Sequence, residues 1–205
     1  MRRFPGLTLS VFLAAVALIG CSQMGMSDSG WVTLLDGSNA STLANWNRLG
    51  DANWRIEDGA VVADKGKGGY LVSKNAYKDF QIRAEFWAAD NTNSGIFIRA
   101  SDPNKIGAEN SYEVNIYDQR PDPKYGTGGI VNFAVVSPMP KAGGKWNTFL
   151  ITAKGTNLIV EMNGQQTVNI NDGKFASGPF ALQFGNLPKS PGGPIKWRKV
   201  QIREL

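Results

Sequence analysis

Histidine is absent from this chain of 205 residues, and cysteine occurs once, as Cys21. The first absence removes the commonest metal ligand and the commonest side chain for moving protons near neutral pH. Ser-His-Asp and Cys-His catalysis are thereby excluded, and any chemistry must rest on carboxylates, amides, arginine, lysine or tyrosine. The second excludes an internal disulfide. Long apolar runs are missing as well: the stretch of apolar or small residues from Leu7 to Gly20, which carries no charge, falls short of the roughly 20 residues that span a bilayer. No basic cluster is interleaved with aromatics, and a net charge of +5 is mild, so nothing points to a nucleic-acid partner.

What is present begins with that uncharged stretch. Arg2 and Arg3 precede it as a short positive region, and the arrangement suits a secretory leader. It ends at Leu18-Ile19-Gly20-Cys21, which resembles the lipobox of bacterial lipoproteins. The resemblance implies a lipoprotein signal peptide over residues 1–20 and lipidation of Cys21. The small polar residues that follow make a tether over residues 21–30, ahead of one domain at 31–205. The leader would take Arg2 and Arg3 with it, leaving 185 residues and a charge of +3. Such a chain would touch the membrane through its lipid alone. Ser22 after the cysteine, rather than aspartate, favours the outer membrane, facing the periplasm.

Beyond residue 30 no stretch has a convincing helical period with caps. Short runs rich in Val, Ile, Phe, Trp and Thr recur instead, cut by Gly, Pro, Asn and Asp. They predict strands near 31–35, 53–57, 60–64, 69–74, 79–89, 94–101, 111–118, 130–136, 146–154, 157–163, 166–171, 179–184 and 195–204. Asn163-Gly164 is a tight hairpin turn, because both residues accept positive φ. The fold class expected is all-β: an antiparallel two-sheet sandwich, with a jelly roll the version that suits this length. Three Gly/Pro-rich segments, 102–110, 119–129 and 185–194, read as loops on which a site can be assembled.

Three strands carry chemistry on one face. In QIRAEFW, Arg83, Glu85 and Trp87 alternate with apolar residues; in GIFIRA, Phe97 and Arg99 do; in SYEVNIYD, Glu113, Asn115 and Tyr117 do. If the three strands are neighbours in one sheet, these side chains form a single surface. Carboxylates, guanidinium groups, amides and aromatic rings together suit a sugar, whose hydroxyls need planar hydrogen-bonding partners and whose C–H faces stack on rings. The alternative is the solvated face of an antiparallel sheet.

The ordered set GWVTLLDG, NWRIEDGAVV, GGYLVSK, DFQIRAEFW, NSGIFIRA, YEVNIYD, GKWNTFLITAKG, LIVEMNGQ, FALQF and WRKVQIREL resembles the 3-keto-disaccharide hydrolase domain family. The resemblance covers residues 30–205 and implies a concanavalin-like jelly roll. It also implies a carbohydrate substrate whose C3 hydroxyl has been oxidised to a ketone. That ketone acidifies the C2 proton, so a base can remove it and the resulting enolate can expel the C1 aglycone. On this reading Glu113 is the base, Arg99 the enolate stabiliser, and Glu85 or Asp118 the acid or positioning group. Trp87, Phe97, Asn115, Tyr117 and Gln183 would bind substrate.

One departure stands out. The family often has histidine after its Leu-Gln motif, and here Phe184-Gly185-Asn186 follows. If that histidine is needed, this chain binds sugar without cleaving it, as a glycan-binding lipoprotein. No transition-metal site and no organic cofactor are expected; a structural calcium on Asp and Asn oxygens stays compatible with the composition. A laminarinase-like retaining glycosidase is the other enzyme reading. It fits less well, because Asn115 stands where that strand pattern has its middle acid, and the shorter Asp118 where it has its last glutamate.

Overall fold

The computed structural model describes Met1, residues 30–186 and residues 192–205. The predicted leader, most of the tether, Cys21 and part of the 185–194 loop lie outside the described residues. Among those residues no helix is long and apolar enough to cross a membrane.

Thirteen strands are described: β1 (Val32–Asp36), β2 (Trp46–Gly50), β3 (Arg55–Glu57), β4 (Ala60–Ala63), β5 (Gly69–Ser73), β6 (Phe80–Ala88) and β7 (Ser94–Ile98), then β8 (Tyr112–Ile116), β9 (Lys145–Lys154), β10 (Asn157–Met162), β11 (Gln165–Asn171), β12 (Ala181–Phe184) and β13 (Ile195–Glu204). They form two antiparallel sheets. The larger runs β11-β10-β9-β6-β13-β4-β3, with β1 paired to β13 beside β4. The smaller runs β2-β5-β12-β7-β8. Only short 3-10 turns, Ala40–Asn45 and Pro123–Tyr125, interrupt the strands. The expected all-β sandwich is the fold observed.

Strand alternation sets the core. Along β6, Phe80, Ile82, Ala84, Phe86 and Ala88 are buried, and the residues between them are half-exposed. From the larger sheet, Ile82, Phe86, Phe149 and Trp197 meet Leu71, Ile96, Val114 and Leu182 from the smaller one. Each such side chain adds about 1.5–3 kcal/mol by leaving water, which is why a chain without disulfides holds together. Between β10 and β11, Asn163 (φ +53°) and Gly164 (φ +79°) take the left-handed conformations of a type I′ turn.

Two strand expectations change. Trp46–Gly50 is an edge strand of the smaller sheet that the pattern WNRLG does not announce. Residues 130–136 are a partly buried turn rather than a strand, held to β8 by the Val131 N–H donating to the Glu113 carbonyl at 3.0 Å.

β7 departs from simple alternation, being buried on both faces. Ile96 and Ile98 point into the sandwich. Phe97 points outward, yet Leu49, Tyr70, Val72, Ile106 and Ala181 cover it. The smaller sheet therefore carries a second apolar layer on its outer face, and the polar residues of β8 and β12 stand beside it.

Candidate functional site

The decisive fact is sheet membership. β6 belongs to the larger sheet, whereas β7 and β8 pair in the smaller one. The three strands expected to share one surface therefore present their polar residues on opposite outsides of the sandwich.

Glu85 and Trp87 are corrected on this ground. Glu85 accepts from Arg198 Nε at 2.8 Å on the outer face of the larger sheet. Trp87 lies under the Lys196 ammonium there, 5.2 Å from the ring centroid. Arg99 is corrected for a different reason. At φ +54° the backbone turns at the end of β7, and the guanidinium is only 1% exposed. It donates to the carbonyls of Lys78 (2.9 Å), Gly155 (2.8 Å) and Phe175 (3.4 Å) and lies 3.3 Å from the Asp79 carboxylate. Its donors are spent on loops. Asp118 is likewise turned to the backbone, accepting from Thr127 Oγ1 (2.6 Å) and from the N–H groups of Ala142 (2.8 Å) and Gly143 (2.9 Å). It ties the 119–129 loop to the segment ahead of β9, and its oxygens are taken up there rather than beside Glu113.

Glu113, Asn115, Tyr117 and Gln183 do come together. They line a cleft of about 330 Å³ on the outer face of the smaller sheet. The register explains it: Tyr70, Gln183, Gly95 and Asn115 form one row across β5, β12, β7 and β8, and Phe97 stands opposite Glu113 in the next row. Gly95 leaves the floor open between Gln183 and Asn115. A Cβ there would come within 2.8 Å of the Val114 carbonyl and 3.5 Å of Glu113 Cγ. Phe97, expected to bind substrate, is 1% exposed and lies beneath this face, packed edge-on to Tyr70 at 5.4 Å. Asn115 is 3% exposed, and its amide donates to the Tyr125 carbonyl, so it positions the 119–129 loop.

Glu113 is the perturbed group of this cleft. Burial among apolar neighbours pushes its carboxyl up to about 7, partly opposed by the Arg120 charge. A carboxylate poised near neutral pH takes and returns protons effectively, and such perturbation is commonest at functional sites. Tyr70 is also pushed up, chiefly by burial, with the Glu113 charge adding to it; its hydroxyl therefore keeps its proton. Gln183 Nε2 donates to that hydroxyl at 3.3 Å, while Gln183 Oε1 is buried without a partner.

Sequence reasoning missed Tyr70, Glu109 and Arg120. Arg120 stacks over Tyr125 (4.6 Å) and Tyr117 (5.5 Å) and is the cation lining the cleft. The signal available was an arginine and a tyrosine inside the Gly/Pro-rich 119–129 loop. After Gln183, Phe184 turns into the core and Asn186 donates to the Gly66 carbonyl at 2.8 Å. Among the described residues no group of three or more His, Cys, Asp and Glu side chains could hold a metal ion.

A two-sheet jelly roll with a buried carboxylate, amides and tyrosines on one outer face defines a carbohydrate-active class of domain. The chain belongs to the family described as 3-keto-alpha-glucoside-1,2-lyase-like domains, which it matches over residues 30–203. A protein of Bacteroides thetaiotaomicron named 3-keto-disaccharide hydrolase is 28% identical over 181 residues, covering 72% of this chain; the match spans only 60% of that relative's own length. Among solved structures, a candidate glycosyl hydrolase of Parabacteroides distasonis is similar with a TM-score of 0.69 at 22% identity, over 85% of this chain and 99% of that one. The carbohydrate binding module CBM66 of Bacillus subtilis is similar in fold, with a TM-score of 0.57 at 13% identity over 85% and 96% of the two chains.

Proposed function

We propose that this chain is an exported, lipid-anchored enzyme that cleaves the glycosidic bond of 3-keto-glycosides. The observation that carries the reading is Glu113, a carboxylate held near pKa 7 in a cleft lined by Arg120, Tyr117 and Gln183. The family supports the substrate class, and the leader with Cys21 supports the location at the outer membrane, facing the periplasm.

The chemistry follows from the ketone. Glu113 takes the proton from C2, and the electron pair of that C–H bond becomes the enolate on the C3 oxygen. Arg120 takes the stabilising role expected of Arg99, because it is the cation that lines the same cleft; an oxyanion donor in a water-poor site contributes about 3–4 kcal/mol. The enolate then collapses, a C1–C2 double bond forms, and the C1–O bond breaks with its pair on the aglycone oxygen. Tyr70, still protonated, supplies the proton that oxygen needs. Water adding across the double bond completes net hydrolysis.

The test is a product assay on 3-keto-glucosides beside the unoxidised disaccharides and β-glucan. Cleavage of the keto sugars alone supports the reading. Cleavage of plain β-glucan overturns it, and binding without turnover of any of them makes this a glycan-binding domain.

A further inference from the structure

A second compartment of about 300 Å³ lies beyond the Gln183–Tyr70 pair and is lined by both residues. Gln183 faces the Glu113 cleft as well, so the two compartments share a wall. Their charges differ. The Glu113 cleft is lined by Glu109, Glu113 and Arg120. The second compartment is lined by two lysines, Lys67 and Lys105, which arrive on separate loops, and, among the described residues, by no carboxylate. Asp64, three residues before Lys67, accepts from Arg55 at 2.9 Å, Asp102, three before Lys105, accepts from the Asn104 N–H at 2.9 Å, and Asp51 accepts from the Lys67 backbone N–H. At the shared wall the buried Gln183 Oε1 lacks a donor among the described residues. A buried acceptor of this kind calls for one, and a sugar hydroxyl spanning the wall supplies it.

We propose that this second compartment is the leaving-group subsite and that Lys67 and Lys105 select aglycones bearing a carboxylate or a phosphate. The inference rests on the Glu113 reading. With the keto ring over Glu113, the C1–O bond lies near Tyr70, and the departing group needs space on the far side of Gln183. Gly68 and Gly69 keep that space free of side chains on one wall. Exposed lysines contribute modestly, so the selection is a matter of several-fold rather than of orders of magnitude.

The experiment uses unoxidised ligands, so that it does not depend on keto chemistry. Calorimetric titration of the whole domain compares three glucosides, with glucose, glucuronate or glucose phosphate as aglycone, on the native chain and on the Lys67→Gln/Lys105→Gln double variant. Thermal melting verifies that the variant is folded, which two exposed side chains make straightforward. At low salt at least one anionic ligand binds about 5-fold tighter than the neutral one, and the double variant loses that preference. Preference for glucuronate alone identifies a uronate leaving group; preference for the phosphate alone identifies a sugar phosphate. Equal or better binding of the neutral ligand overturns the proposal, as does a preference that survives in the variant, or no binding of any of the three. A chain that turns over neutral keto-glucosides without charge preference refutes this subsite and keeps Glu113 as base; charge-selective binding without keto-sugar turnover does the reverse.

Discussion

Phe97 on β7 and Glu113 on β8 are cross-strand partners whose side chains leave the same outer face of the smaller sheet. One is the apolar bed and the other the carboxylate that stands beside it. Burial in this setting raises the Glu113 pKa, because it removes water that would solvate the charge.

As a base, Glu113 must be ionised. We therefore expect kcat/KM on a 3-keto-glucoside to rise with pH and level off above about 7. Glu113→Gln lowers kcat by about 10²–10⁴-fold and abolishes this rise. A variant with undiminished turnover would remove Glu113 from the base role.

Arg120 holds the Glu113 pKa below the value that burial alone would set. Arg120→Met should move the rising limb of the pH–rate profile to higher pH while lowering kcat. A limb that stays in place would mean that the guanidinium does not act on Glu113.

The same residue costs stability. The folded state binds the Glu113 proton more tightly than the unfolded chain, where the pKa is near 4.5. Stability is thus unaffected by this group below about pH 4.5 and is lost as pH rises towards 7. Glu113→Gln escapes the penalty: denaturant unfolding at pH 8.5 should show it more stable than the native chain by about 3 kcal/mol, and nearly equal at pH 4.

Arg99 is placed as a clamp on the Lys78, Gly155 and Phe175 carbonyls. Arg99→Met leaves these acceptors short of donors and should cost about 3 kcal/mol. Per folded molecule, kcat and its pH profile should be unchanged. A specific loss of kcat in a fully folded variant would restore Arg99 to the reaction.

Glu85→Gln and Trp87→Ala act on the far side of the sandwich. Both should keep kcat/KM within about twofold. The exposed Glu85–Arg198 pair is worth at most about 1 kcal/mol, so thermal melting should move little.

The sandwich was legible because alternation is local. QIRAEFW reads as buried-exposed without knowing any partner, and Asn163-Gly164 needs only its own φ preferences. Sheet membership is not local. Glu85 and Glu113 have the same parity relative to their apolar neighbours, but parity does not say which sheet a strand joins, and β6 went to one while β8 went to the other. Arg99 misled for a related reason: its place opposite Ile98 holds only while the strand stays extended, and the chain turns there. The apolar run 130–136 reads as a strand because a turn that buries Ile130, Val131 and Val136 needs the same residues. Tyr70 and Arg120 are contributed by a distant strand and a loop, and only the register joins them to Glu113.

The position of β13 has a consequence for the order in which the chain can fold. Its ten residues pair with β6 on one side and with β4 and β1 on the other, and Trp197 sits in the core. A fragment ending before Ile195 would lack the middle of the larger sheet rather than its margin, leaving β1 without a partner and cutting the β3–β4 pair off from β6. Completion of the sandwich must wait until β13 has been made. Until β13 arrives, a nascent chain of this topology holds the two halves of its larger sheet unjoined.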